Sequence, residues 1–520
     1  MSEAIIPPLG RLVNIKPALD RNAPRSVVSL LIVGDFAVCT ASQTAKTPTA
    51  TGIVLIGLFD LSDKSVRNCS SVDTRHRPGW CLLVMVRGRM PRPLFTLMID
   101  VLLGSTSMKS RRYFTAVVVA VLLSGHAQMT RGQGYGTDSQ NVLTPASGGM
   151  AGVSLAEPQD VPAAIFGNPA SLTQFHGTQF TLGGGWVEGY PTVTNNGSLN
   201  GGVPFDVTSR TQGFAVPEIG VIQDLRPAGI PGAFGLGFGG LSGLGAEYRG
   251  RTPNGGLLNN VSNEYMVLGV NAAMGINLTD QFSAGAAITL GNGFEQLGFT
   301  GPLVSSAMVN AYALRGTFGL DYALNSYNTV GVFYQTRMNF TFPDAVRFGD
   351  TYYDLSISQP ETVGLGWSNH SLMDGNLLLA ADIYYKLWEN APLWEDVYVN
   401  QWVFAVGAQL TQGKMKYRLG YAYNTNPINH SVGSNLAGFP VGQDAVQLFQ
   451  AASTATINQH RLTAGVGRQG FLIPTLDLDL FAGGLFHACD EFGNSQASVA
   501  VYYVGMGLTW RYGDCSEQVQ

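Results

Sequence analysis

Charge is scarce in this 520-residue chain: Asp, Glu, Lys and Arg together make up 12% of it, about half the share usual in a soluble globular protein. Long apolar runs are missing too. After Leu123 no stretch approaches the roughly twenty apolar residues that a membrane-crossing helix needs, so a helical membrane protein is excluded. Cysteine is sparse, five residues with no CxxC pair, which points away from a zinc ribbon or a redox motif. Neither GxSxG nor HExxH occurs, so nothing indicates an enzyme of the hydrolase or zincin type. A basic face is lacking as well. Residues 1–107 hold 12 of the 30 basic and 7 of the 35 acidic side chains, which leaves the remainder acidic at 18 against 28. Nucleic acid asks for the opposite balance.

Glycine is what the chain has in abundance, 65 residues without the three-residue period of collagen. Low charge, many glycines and no long apolar run fit a sheet whose every second residue is apolar, with glycine where backbones crowd.

One local signal stands at Met108. Lys109, Arg111 and Arg112 form a basic start, residues 113–123 an apolar stretch, and Ser124-Gly125-His126-Ala127 a small-residue end before Gln128. This is the layout of a secretory signal peptide over 108–127, too short to span a bilayer. Such peptides stand at N-termini. The reading is therefore that translation begins at Met108 and that residues 1–107 are a mis-called extension without sustained period, disordered if made.

From Gly177 to Tyr512 apolar and polar residues alternate. Tyr502, Val504, Met506, Leu508, Trp510 and Tyr512 share one face, with aromatics at both ends, as girdles at two membrane interfaces require. Leu476, Leu478 and Leu480 oppose Asp477 and Asp479, and Ile383 and Tyr385 oppose Asp382 and Lys386; such carboxylates are expected to face a watery lumen. Turn chemistry at Arg226–Pro231, Thr279-Asp280, Asn325-Ser326, Asp374-Gly375, Gln412-Gly413 and Gln469-Gly470 spaces some fourteen strands between residues 177 and 512. The even number, the short turns at one end and the need to bond every backbone group in lipid all lead to a closed antiparallel β-barrel. Residues 128–176 do not alternate and have the size of a plug for its lumen. Residues 513–520 form a short tail.

The plug segment carries Ala163-Ala164-Ile165-Phe166-Gly167-Asn168-Pro169-Ala170-Ser171-Leu172. Its Asn-Pro-Ala, in order with Gly235–Arg251, Gln359–Trp367 and Tyr417–Asn424, resembles the FadL family of outer-membrane transporters for long-chain fatty acids and aromatic hydrocarbons. The resemblance covers residues 128–512. It implies a monomeric, cofactor-free, passive channel in the outer membrane: a lipophilic small molecule adheres to an outer-loop groove, the hatch moves, and the ligand leaves sideways into lipid through a kink in the third strand. On that resemblance the ligand-handling residues are Phe166, Asn168, Pro169 and Ala170 in the hatch, and Leu241, Leu244, Leu257 and Leu258 in the outer groove. Arg249 and Arg251 would attract a carboxylate there; Arg315 and Arg337 are the internal basic residues considered. The competing reading is a FadL-like structural or interaction barrel for secretion or surface anchoring, contacting protein through loops such as 425–457.

Two further patterns carry no chemistry. Gly235-Leu-Gly237-Phe-Gly239-Gly240 satisfies GxGxxG, but no βαβ unit surrounds it. His487, Cys489, Asp490 and Glu491 read as a polar loop rather than a metal site.

Overall fold

The computed structural model describes strand backbone at Leu12–Asn14, Ser26–Val33, Phe36–Gln43 and Leu58–Asp60, then residues 141–198, 202–210, 213–251, 261–297, 303–305 and 307–512. The signal peptide, the rest of the extension, hatch residues 128–140, Leu257, Leu258 and the tail 513–520 lie outside the described residues. The chain divides into two units, Met1–His126 and Ala127–Gln520. In the first, the four strands pair antiparallel in chain order.

The second unit is built on fourteen strands: β1 Thr178–Gly189, β2 Phe214–Asp224, β3 Gly232–Glu247, β4 Ser262–Asn277 and β5 Phe282–Gln296. Next come β6 Val309–Asn325, β7 Asn328–Gln335, β8 Glu361–Leu372, β9 Leu377–Leu387 and β10 Gln401–Gln412. The ring ends with β11 Met415–Asn424, β12 His460–Arg468, β13 Leu476–Phe492 and β14 Ser495–Tyr512. Each pairs antiparallel with its neighbours, and β14 returns to β1 from Tyr512↔Thr178 to Val501↔Gly189. Closure pairs every ring strand on both sides over at least part of its length.

All six expected turns lie at one end of this barrel. Two of them are two-residue turns, Ser326-Tyr327 and Gly413-Lys414, and Gly413 takes a φ of 59° that a side chain would resist. The other end carries the long connections, among them the hairpin Met338–Phe348/Thr351–Gln359 and the helix α2, Gln443–Ser453.

Strand β6 shows why the pattern makes a barrel. Leu314 and Tyr312 are each 65% exposed and Phe318, Leu320 and Leu324 also face out, while Ala311, Ala313, Arg315, Thr317 and Asp321 are buried inside. Ile288, Leu365, Val406 and Val504 continue the outward apolar belt on other strands. So broad an apolar surface is what a membrane barrel turns to lipid.

The lumen is not watery where the carboxylates stand. Asp382 accepts backbone hydrogen bonds from Ser154 (2.8 Å) and Leu155 (3.1 Å) of the segment that enters the barrel. Asp479 pairs with Arg418 at 2.5 Å and Asp477 with Arg511 at 3.0 Å. The strand pattern places each of these groups inward but does not show what meets it there. His487, Cys489, Asp490 and Glu491 belong to β13 itself, not to a loop, and no metal-ligating group occurs among the described residues.

Residues 141–176 fill the ring. They form two 3-10 turns, Ser147–Met150 and Pro169–Gln174, flanking helix α1, Val161–Phe166. Only Gly177 separates the segment from β1.

Candidate ligand cavity and wall opening

The plug is held by a wall that has given up its side chains. Inward glycines face it from strand after strand. A Cβ on Gly220 or Gly235 would press on Val161 or Ile165 at 2.9 and 2.8 Å, and one on Gly407 on Met150 at 2.8 Å. At Gly285 and Gly420 it would overlap plug backbone. Where no glycine stands, polar groups bond the plug: Asp382 on β9, the Thr463 hydroxyl accepting from Ala151 N, and Asn271 donating to Ile165 O. Inside the plug, Asp160 caps α1 by accepting from Ala163 N at 2.8 Å. It also accepts from Ala146 N and Ser147 N, tying the two halves together.

Above this plug lies a cavity of about 140 Å³. Val142, Leu143 and Ala151 of the plug bound it on one side. Its walls are of two kinds. Toward β9–β14 the polar Lys386, Gln401, Asn424, Arg461 and Tyr503 stand among Trp388, Val403, Leu485 and Val501; toward β1–β4 stand Val187, Phe214, Val216, Met266 and Leu268, with Ser242.

The apolar side is a gap in the barrel. The ladder between β2 and β3 ends at Glu218↔Gly239, although β2 begins at Phe214 and β3 runs on to Glu247. The cause lies in β3. Gly240 pairs with Leu268 and Ser242 with Val267, so Leu241 is an extra residue bulged out of the β3–β4 register. A bulge bends its strand and turns it from its other neighbour. The cavity extends to the resulting gap. Its lining includes the inward-facing Phe214 and Val216 and also Ala215, Met266 and Leu268, which alternate to the outer surface. The Val216 side chain stands where a Cβ of Gly240 would be and closes the gap from β2.

The fold has solved counterparts. The chain is similar to the Pseudomonas putida toluene transporter TodX (17% identity, TM-score 0.51, 73% of this chain and 99% of that one). It is also similar to a Pseudomonas aeruginosa FadL homologue (14%, 0.53, 74% and 100%). The Ralstonia pickettii toluene transporter TbuX is a third (17%, 0.51, 71% and 98%). The fold is that of the FadL-type channels. No protein-family model matches the chain, and no curated sequence matches it.

Within this FadL-type barrel the expected residues take different places. Asn168 is fully buried; its amide donates to Asp321 (2.6 Å) and Leu155 O (2.9 Å), and its oxygen accepts from Ala170 N (3.1 Å). Gly319 beneath it leaves no room for a Cβ. Pro169 and Ala170 wedge against Gly275 and Gly285, and Phe166 packs over Gly237. None of the four lines the cavity. The Asn-Pro-Ala turn locks the plug to β4–β6.

Leu241 and Leu244 are not loop residues. Both lie in β3, Leu241 as the bulge and Leu244 buried in the core at 3% exposure, because the strand runs further than its glycines suggest. Arg249 is held by Glu247, with its Nε at 2.9 Å, and Arg251 is exposed beside it. That pairing satisfies the Arg249 charge locally. Arg315 is bonded to Thr336 O and Pro360 O, and Arg337 to Asn390 O, so neither reaches the cavity.

The lining residues Asn424, Arg461 and Tyr503 were missed. Each lies on a different strand, and only the barrel's curvature brings them together. An apolar patch at the outer end was missed as well: Phe439 packs on Phe348 at 5.5 Å and Tyr353 at 5.2 Å, next to the exposed Tyr352.

Proposed function

We propose that this chain is a passive outer-membrane channel for hydrophobic small molecules, taking its ligand into the cavity above the plug and releasing it sideways between β2 and β3. The observation that carries this reading is a single cavity lined by residues of both the inner and the outer face of the wall. Bulk water gains nothing from such a route, whereas an apolar solute moves from one low-dielectric surface to another. The cavity's size favours a compact ligand. An engineered apolar cavity of roughly 150 Å³ accommodates benzene, and this one measures about 140 Å³. A single aromatic ring fits the space as it stands; an extended acyl chain requires the plug to move. The patch around Phe439 is the proposed outer docking surface. Residues 1–107 and 108–127 keep their proposed roles as extension and signal peptide, and the barrel acts as a monomer.

The test is uptake of labelled toluene and oleate by cells lacking their own transporter. Deleting Leu241 removes the extra residue, so that β3 can pair in register with β4 and close on β2. The expected result is toluene uptake that falls at least tenfold in the deletion variant, with heat-modifiable gel mobility showing an assembled barrel. No uptake of either compound by the assembled parent protein would reject the channel and leave the interaction-barrel reading.

A further inference from the structure

We propose that the cavity selects compact ligands bearing a hydroxyl group, of the phenol class, over the hydrocarbon of the same shape. This rests on the channel reading above and goes on to its specificity.

Buried polar atoms in folded proteins are nearly always bonded, because an unmet donor or acceptor retains its full desolvation cost. Four that have no partner among the described residues line this one cavity: Asn424 Oδ1, Thr456 Oγ1, Arg461 Nε and Tyr503 OH. They sit on the β11–β14 side. Arg461 is held in place from the plug, donating through its Nη2 to Ala151 O at 2.9 Å, which leaves Nε directed elsewhere. Tyr503 lies over Gly483, its ring where a Cβ would stand, and is 2% exposed.

The set mixes functions. Arg461 Nε can only donate, Asn424 Oδ1 can only accept, and the two hydroxyls can do either. A hydrocarbon satisfies none of them. An ionised carboxylate accepts from Arg461 but leaves the Asn424 oxygen without a donor. A hydroxyl accepts and donates at once, and so serves both kinds of group. The opposite wall, Val187, Phe214 and Val216, then receives the apolar part and points it at the gap between β2 and β3. The ligand would therefore leave apolar end first.

The full chain, folded in detergent micelles, is titrated calorimetrically with p-cresol and with p-xylene, which differ by a hydroxyl in place of a methyl. The quantity read is the ratio of the two affinities, compared between the parent and the variants Asn424→Leu and Tyr503→Phe. Loss of one well-placed hydrogen bond is worth about tenfold, so the ratio should fall about tenfold in Asn424→Leu and several-fold in Tyr503→Phe. Assembly is checked by heat-modifiable mobility. Should Asn424→Leu fail to assemble, Tyr503→Phe carries the test, since it removes one oxygen and no packing. If p-xylene binds the parent and the ratio is the same in every assembled variant, hydroxyl selection is overturned while the channel stands. Tighter binding of p-toluate than of p-cresol overturns it in favour of an anionic ligand. Saturable binding of neither compound overturns selection and channel together.

Discussion

At Gly319 a single hydrogen atom decides whether the plug fits. A methyl group there would overlap Asn168 Oδ1 and stand 2.8 Å from Pro169 Cδ. Gly319→Ala should destabilise the assembled protein by about 1–3 kcal/mol, the usual range for overpacking, and loosen the Asn-Pro-Ala turn. Planar-bilayer recordings should then show ion conductance that the parent lacks; a silent variant of parental stability would contradict the lock. Asp382 tests the other kind of anchor. Asp382→Ala leaves the Ser154 and Leu155 N–H groups without their acceptor, at about 1–3 kcal/mol for each buried donor. The midpoint of the heat-modifiable transition should drop accordingly, while Asp382→Asn, which keeps an acceptor, should lose less. Residues of this sort were hard to read in the sequence. Asn168 and Asp321, or Asp382 and Ser154, meet across more than 150 residues of chain, and no local period connects them.

Strands were legible for the opposite reason. Alternation is a local consequence of the pleat, so Asp477, Asp479 and Asp382 could be assigned to the inside from their neighbours alone. The six short turns followed from Gly, Asn and Asp at the positions that need them. Strand ends were less legible. In β3 the glycines carry no face to mark where the strand ends, so Leu241 and Leu244 are expected in or beside an outer loop, yet the strand is paired with β4 through to Glu247. The same lack of a face hid that Leu241 and Leu244 belong to the strand. It also concealed the bulge, whose signature is an extra residue relative to a partner strand and is visible only once the pairing is known. Straightening β3 by deleting Leu241 belongs to this scale: uptake should be lost without loss of the barrel. Leu241→Ala, which keeps the extra residue, should retain uptake in the same assay.

The whole molecule depends on its outer face. Leu314 lies midway along β6, 65% exposed, in a belt that meets lipid in the reading given above. Leu314→Lys should cost about 2–4 kcal/mol, the figure for a cation near the bilayer midplane of a β-barrel. The fraction of heat-modifiable protein should fall in proportion. The same change at Leu472, in the turn between β12 and β13, should be neutral because that residue faces water at the short-turn end.

The link Phe175-His176-Gly177 sets how the plug can travel. Three residues reach at most roughly 11 Å, and they join the turn Pro169–Gln174 to β1 at the same end of the barrel where β14 finishes. The plug is moored at its C-terminal end, so it cannot rise or drop like a piston. At the other end of its described residues stand Val142 and Leu143, which with Ala151 bound the cavity. In the channel proposed above, opening is a swing about a short mooring, with the largest displacement at the cavity and the smallest at the Asn-Pro-Ala turn.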